Sequence, residues 1–369
     1  MPPLPSALAD IPNGSVTSPR GFTAAAAHAG LKADGAPDVA LLVSAASCAT
    51  AGVFTKNALR AAPVVYDADL LAERPGRMRA VAMNARVANA CTGAPGLAAA
   101  RAMAQAAEQA AGLPPRTALV LSTGVIGVPL PLEQVADGLR AAAGRLTSEG
   151  GPEAARAIMT TDTRPKHCAV RFETPAGIVT VGGIAKGAGM IHPDMATLLA
   201  GGASGVDPSR DGALWKTFED AVLQVARTLA LAIVSDGEGA SKLVEIHVVG
   251  GVSEAAARDV GRAIARSALV KTAIYGADPN WGRILAAAGA AGVPLAVDRL
   301  SLQAAADGEW LTLATGGATA HADSRAARVI FEQKMIRLRV DLGLGRAEAV
   351  VWTCDLTPDY VRINADYTS

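Results

Sequence analysis

The residues best suited to chemistry lie in one run, Lys186-Gly187-Ala188-Gly189-Met190-Ile191-His192-Pro193-Asp194-Met195-Ala196-Thr197. A lysine is followed by small residues at 187, 188 and 189, which let backbone come close to a ligand. Pro193 confines His192 to extended backbone. Thr197 stands between Ala196 and Leu198, an unexpected place for a threonine whose only task is to meet solvent. A threonine becomes a nucleophile when a base takes its proton. The nearest such base is its own α-amine, freed by cleavage of the preceding peptide bond. A glycine turn followed by a helix N-cap at Thr197 fits the same residues, so this run alone leaves both readings open.

Further parts for such chemistry are scattered along the chain. Ser122-Thr123-Gly124-Val125-Ile126-Gly127 follows an apolar run and can aim N–H groups and a hydroxyl at a developing oxyanion, or be an ordinary turn after a strand. Thr160-Thr161-Asp162-Thr163 closes a short helical stretch. Glu238, between Gly237 and Gly239, is a carboxylate on pliant backbone that suits a ligand amine, or a plain acidic turn. The polar stretch Asn84 to Gly93 reads more as loop architecture than as chemistry.

The elements that must position these residues alternate between strand and helix. Apolar runs at 38–43, 78–83 and 117–121 predict strands, with a strand end at 52–57 and an extended piece from 62 to 66. Helices are expected over 97–111, 132–146, 154–159 and 214–234, and a hairpin around 175–177. Beyond it come a strand at 243–249, a helix over 254–266 capped by Ser253, and a tight turn at 275–283. Strands follow at 311–313, 335–340 and 350–354, and then a polar tail of the kind that frays.

A chain of 369 residues predicts two domains, or one large domain with a lobe. Hydrophobic residues are 50% of it but aromatics only 4%, so the core is built from Ala, Val and Leu. Lys+Arg and Asp+Glu both total 34, and no basic stripe argues for nucleic acid. Uncharged runs fall short of a membrane span, and residues 1–14 lack an apolar signal core. The four cysteines, at 48, 91, 168 and 354, have neither metal-ligand spacing nor a disulfide pattern, which suits reduced thiols in a cytoplasmic protein.

Taken together, the motifs resemble the ornithine acetyltransferase (glutamate N-acetyltransferase) family along nearly the whole chain. Lys186 to Thr197 resembles the segment that the family cuts between alanine and threonine. The other matches run in order through Ala51–Thr55 with Ala61-Ala62-Pro63, Asn89–Gly93, Ser122–Gly127, Met159–Thr163, Asp236–Lys242, Lys271–Ala273, Asp278–Arg283, Trp352–Thr357 and Ile363–Thr368. The resemblance implies an α/β fold of layered sheets flanked by helices, a self-processing N-terminal-nucleophile-like core over 1–250. A smaller C-terminal α/β lobe over 251–369 would return its tail to the active site.

The resemblance also implies roles. Cleavage falls between Ala196 and Thr197, Thr197 is the nucleophile, and its freed amine is the base. Thr123 and Gly124 form the oxyanion hole. Thr160, Lys186, Thr197, Glu238, Asn364 and Ser369 line the amino-acid site, with Ser369 where many relatives have threonine. The implied reaction is ping-pong transfer of acetyl from N-acetylornithine to glutamate, in arginine biosynthesis or a related specialised pathway. Neither a metal nor another cofactor is expected, nor a nucleic-acid or membrane partner. The assembly implied is a hetero-oligomer of the cleaved alpha and beta chains. Two other readings are a self-processing amidase or hydrolase of the same superfamily, and a non-catalytic paralogue.

Departures bear on that choice. Relatives have Ser-Gly-Asn where this chain has Ala85-Arg86-Val87, and an arginine in place of glycine is expected to redirect a tight loop. Asp194 replaces a usual asparagine. Between Leu199 and Trp215 a whole block present in relatives is missing, next to the proposed nucleophile.

Overall fold

The computed structural model describes residues 8–175, 177–189, 212–320 and 323–366. They form two compact units, one of residues 8–187 and 212–233, the other of 188–189 and 234–366. The expected boundary after residue 250 falls inside a strand of the second unit that spans Leu243–Gly251.

The first unit runs β1 (Ala9–Asp10), β2 (Phe22–Ala27), β3 (Val39–Cys48), α1 (Ala62–Glu73), β4 (Met78–Asn84), α2 (Gly93–Ala110), β5 (Ala118–Ser122), α3 (Leu132–Ala143), α4 (Gly151–Ala157), β6 (Lys166–Thr174), β7 (Gly177–Ala185) and α5 (Gly212–Ser235). One sheet has the order β2-β3-β4-β5, the other β1-β6-β7. Helices α1 to α3 bury an apolar face on the first sheet through residues such as Met103, Ala104, Val135 and Leu139. The opposite face packs on α4 and on Ile184 of β7. Alanines at 24, 26, 40, 154, 155 and 157 leave room for that thin middle layer. On the second sheet, Val170, Phe172, Val179 and Val181 pack against Ala221, Val225 and Leu229 of α5. Strands covered on both faces read as continuous apolar runs, which is why β3, β4 and β5 are plain in the sequence.

The second unit runs β8 (Leu243–Gly251), α6 (Glu254–Arg266), α7 (Ala268–Tyr275), α8 (Trp281–Gly289), β9 (Ser301–Ala305), β10 (Leu311–Thr315), β11 (Ala318–Thr319), α9 (Ser324–Phe331), β12 (Met335–Asp341), β13 (Ala347–Cys354) and α10 (Pro358–Asp366). Its sheet has the order β11-β10-β9-β12-β8-β13, with β12 and β8 parallel. Helices α6 to α9 cover one face through Val260, Ile264, Ile274, Ile284 and Phe331. The other face carries polar pairs, such as Trp352 Nε1 donating to Glu245 at 3.0 Å.

The layered α/β fold with a smaller second α/β unit matches expectation, and Ser253 caps α6 by accepting from the Ala256 N–H at 3.1 Å. Several local expectations fail for identifiable reasons. Residues 62–66 begin α1 and not an extended piece, because Pro63 sits in the first helical turn, where its missing N–H costs nothing. No strand forms over 52–57. Trp281 starts α8, with the Asn280 side chain as its cap, instead of sitting in a turn. Residues 364–366 of the expected tail belong to α10 instead of fraying, and 367–369 lie outside the described residues. The alanine-rich β2 was not anticipated, since alanine carries little strand signal.

Candidate active site

Parallel pairing of β4 with β5 puts Asn84 beside Ser122, so the two strands release their loops at the same end. The Thr123–Gly127 turn is laced to the preceding loop. Thr123 N donates to Asn84 O at 3.1 Å, Val125 N to Arg86 O at 2.9 Å, and Gly127 N to Ala90 O at 2.9 Å. With the Thr123 N–H committed there, the donors left for an oxyanion are the Thr123 hydroxyl and the Gly124 N–H. Gly124 has φ 135°, and a Cβ on it would lie 2.0 Å from the Arg86 carbonyl carbon. Arg86 itself holds φ 72°. That is the left-handed conformation that a glycine would favour.

Lys186 follows β7 directly, and register pairs Lys166 with Ala185 at the same end of the hairpin. The Lys186 ammonium donates to the Thr160 hydroxyl at 2.6 Å and to the Thr123 hydroxyl at 3.3 Å. A hydroxyl that accepts from a cation keeps its own proton to give. Both threonines can therefore donate to a carbonyl or an oxyanion.

Beneath them lies Asp162, whose side chain is 0% exposed. Its Oδ1 accepts from Lys166 Nζ at 2.7 Å and from Gly187 N at 2.7 Å. Its Oδ2 accepts from Thr160 N at 3.1 Å and lies 3.5 Å from Lys186 Nζ. Burial by itself would raise the carboxyl, but the Lys186 charge, the Lys166 bond and the two N–H groups outweigh it and hold Asp162 below the usual carboxylate range.

In the second unit, Glu238 N donates to Ala188 O at 2.9 Å, and a Cβ on Gly189 would lie 2.7 Å from Glu238 Oε1. Small residues at 188 and 189 thus do let the backbone lie against a carboxylate. Asn364 Nδ2 donates to Glu238 Oε2 at 2.8 Å. Helix α10 brings Asn364 there, and Thr357, which accepts from Tyr360 N at its start, also donates to Gly239 O at 2.7 Å. The loop carrying Glu238 is tied further by Asp355, which accepts from Ser241 N and Oγ and from Lys242 N.

The structure therefore gathers Thr123, Gly124, Thr160 and Lys186 in the first unit, and Glu238 and Asn364 in the second. Thr197, Ala196 and Ser369 lie outside the described residues. Sequence reading missed Asp162 and Lys166 as site residues. The only signal was the carboxylate inside the Thr160–Thr163 run. Among the described residues, no group of His, Cys, Asp or Glu gathers as a metal site, and no helix is long and apolar enough to cross a membrane.

The model of the ArgJ family matches residues 23–204 and 199–369. The arginine biosynthesis bifunctional protein ArgJ of Symbiobacterium thermophilum is 42% identical over 401 residues, taking in 96% of this chain and 98% of that protein. The ArgJ protein of Thermotoga neapolitana is 38% identical over 395 residues, with 95% and 99% covered. Among solved structures, ornithine acetyltransferase complexed with ornithine from Mycobacterium tuberculosis is 40% identical and covers 52% of this chain and 100% of its own, with a TM-score of 0.47. Both sequence alignments are longer than this chain of 369 residues, so the relatives carry residues it lacks. The family model matches in two stretches that meet and overlap at residues 199–204. With relatives matched almost end to end and the family model matched in both stretches, the chain belongs to the ArgJ family, the acetyltransferases of arginine biosynthesis.

Proposed function

We propose that the chain is a glutamate N-acetyltransferase that takes acetyl from N-acetylornithine by way of an acetyl ester on Thr197. Maturation comes first. The Thr197 hydroxyl attacks the Ala196 carbonyl, the acyl group shifts from nitrogen to oxygen, and water opens the ester. This leaves an Ala196 carboxylate and a free Thr197 amine. That amine then takes the hydroxyl proton as Thr197 attacks the acetyl carbonyl of the donor. The oxyanion is held by the Thr123 hydroxyl and the Gly124 N–H. Collapse returns the proton to the departing ornithine amine. Glutamate's amine attacks the ester in turn, and Thr197 is regenerated as acetylglutamate leaves. Lys186 suits the substrate carboxylate, and Glu238 with Asn364 suits an ammonium.

The observation that best supports this reading is the Lys186 ammonium donating to both the Thr123 and the Thr160 hydroxyls. A second reading, a non-catalytic paralogue, is favoured only by the residues that relatives carry and this chain lacks. Intact mass decides first. The wild type is expected as two fragments that meet between Ala196 and Thr197, and Thr197→Ala as one chain of 37.2 kDa. The cleaved protein should make acetylglutamate from acetylornithine. One uncut chain in both samples would overturn the proposal, and acetate release without acetylglutamate would favour a hydrolase.

A further inference from the structure

We propose that Asp162 is a positioning residue of this site: one buried carboxylate that aims Lys186 at the Thr123 and Thr160 hydroxyls, with Lys166 as its structural counter-ion. The inference rests on the acetyl-transfer reading for its kinetic consequence, but its geometric content stands apart from it.

The argument begins with cost. A carboxylate taken wholly out of water is expensive unless its lone pairs are filled by good partners. A buried ion pair with Lys166 alone would serve stability no better than two apolar side chains. Asp162 does more than balance Lys166. Its Oδ1 also accepts the Gly187 N–H, and its Oδ2 accepts the Thr160 N–H and faces Lys186. It thus joins the turn after α4, the start of β6 and the end of β7, the three pieces that carry Thr160, Lys166 and Lys186.

The division between the two lysines is unequal. Lys166 is sealed, with a side chain 1% exposed, and makes the short bond at 2.7 Å. Lys186 is 15% exposed and stands off at 3.5 Å, with its short bond going to the Thr160 hydroxyl. Asp162 faces Lys186 at 3.5 Å, and Lys166 lies on the other side of that carboxylate. From the turn after β5 comes the Thr123 hydroxyl. Within this trio of Asp162 and two lysines, one carboxylate faces two ammonium groups, and the partly open lysine directs its charge towards the two threonine hydroxyls. The carboxylate between the lysines is itself anchored by two backbone N–H groups, so it cannot swing away from either.

The test separates positioning from simple charge balance. Asp162→Asn removes the negative charge that both ammonium groups face. Adding Lys166→Met removes the buried cation that a neutral amide at position 162 could not balance. Two quantities are read in wild type, Asp162→Asn, Lys166→Met and the double variant. One is acylation of Lys186 by acetic anhydride at fixed pH, followed by peptide mass spectrometry; it reports how much of the lysine is a free amine and needs no enzyme activity. The other is kcat/KM for acetylornithine. In Asp162→Asn, Lys186 labelling is expected to rise at least about tenfold, and kcat/KM to fall about 10–100-fold, as when an outer partner that orients a working group is lost. The double variant should regain thermal stability and keep both defects. Recovery of wild-type labelling and kcat/KM in the double variant would overturn the proposal, since Asp162 would then only neutralise Lys166. A wild type that makes no acetylglutamate, with the labelling difference intact, would sink the acetyltransferase reading and leave the positioning of Lys186 standing.

Discussion

An ammonium that donates to a hydroxyl leaves that hydroxyl's proton for another task, and Lys186 does this for two threonines at once. Lys186→Met should therefore weaken two oxygen-directed donors together, and kcat/KM is expected to drop on the order of 10²–10³-fold. A drop of less than tenfold in steady-state kinetics would mean that the lysine is a bystander. The turn beside it has a different weak point. Arg86 sits at φ 72°, a conformation that costs an L-residue roughly 1 kcal/mol. Arg86→Gly returns part of that to the unfolded chain as entropy. A net gain of about 0.5 kcal/mol is expected from denaturant melts, and a net loss would show that the guanidinium makes a stabilising contact. Gly124→Ala allows no such relief, because its Cβ would meet the Arg86 backbone at 2.0 Å. At this scale the sequence showed Lys186, Thr123 and Thr160 because each sits in a run with recognisable spacing. It hid Asp162, because a carboxylate among threonines looks like any solvated turn until a fold buries it.

At the scale of elements, strands with both faces covered were legible, and pieces defined by one residue's backbone role were not. Residues 62–66 have a β-like composition, yet Pro63 in the first turn commits them to α1. The tail reads as polar and loose, but Thr357 caps α10 and ties it to Gly239. The loop between α5 and β8 owes its shape to residues on both sides of Glu238. Lys242 Nζ donates to the carbonyls of Ile274 and Phe331, each at 2.7 Å, where α7 and α9 end. Asp355, 3% exposed, gathers Ser241 and Lys242 through three bonds. Asp355→Ala leaves those donors unmet and is expected to cost about 3 kcal/mol. An unfolding free energy from denaturant melts that changes by less than about 1 kcal/mol would place the loop's anchor elsewhere.

Across the whole molecule, acids and bases are equal in number and the isoelectric point is near 7.0, yet stability need not peak there. Its pH dependence follows groups whose proton affinity changes on folding, and two carboxylates of the first unit pull in opposite directions. Asp162 is held below the usual range. The unfolded chain therefore binds more protons at this position in acid, and the stability it contributes is present above about pH 4 and lost as pH falls further. Asp67 on α1 is the reverse case. Burial pushes it up to about 7, even though it accepts from Val120 N at 3.0 Å. Between about pH 4 and pH 7 the folded chain then holds a proton that the unfolded chain has released, so stability falls as pH rises through that window. Asp67→Asn keeps an oxygen for the Val120 N–H and cannot ionise. Thermal melts of the variant should lose this decline, with the advantage over wild type growing from about pH 4 to pH 7 and levelling off beyond it. Parallel curves for the two proteins would mean that Asp67 is ionised in the folded state at ordinary acidity.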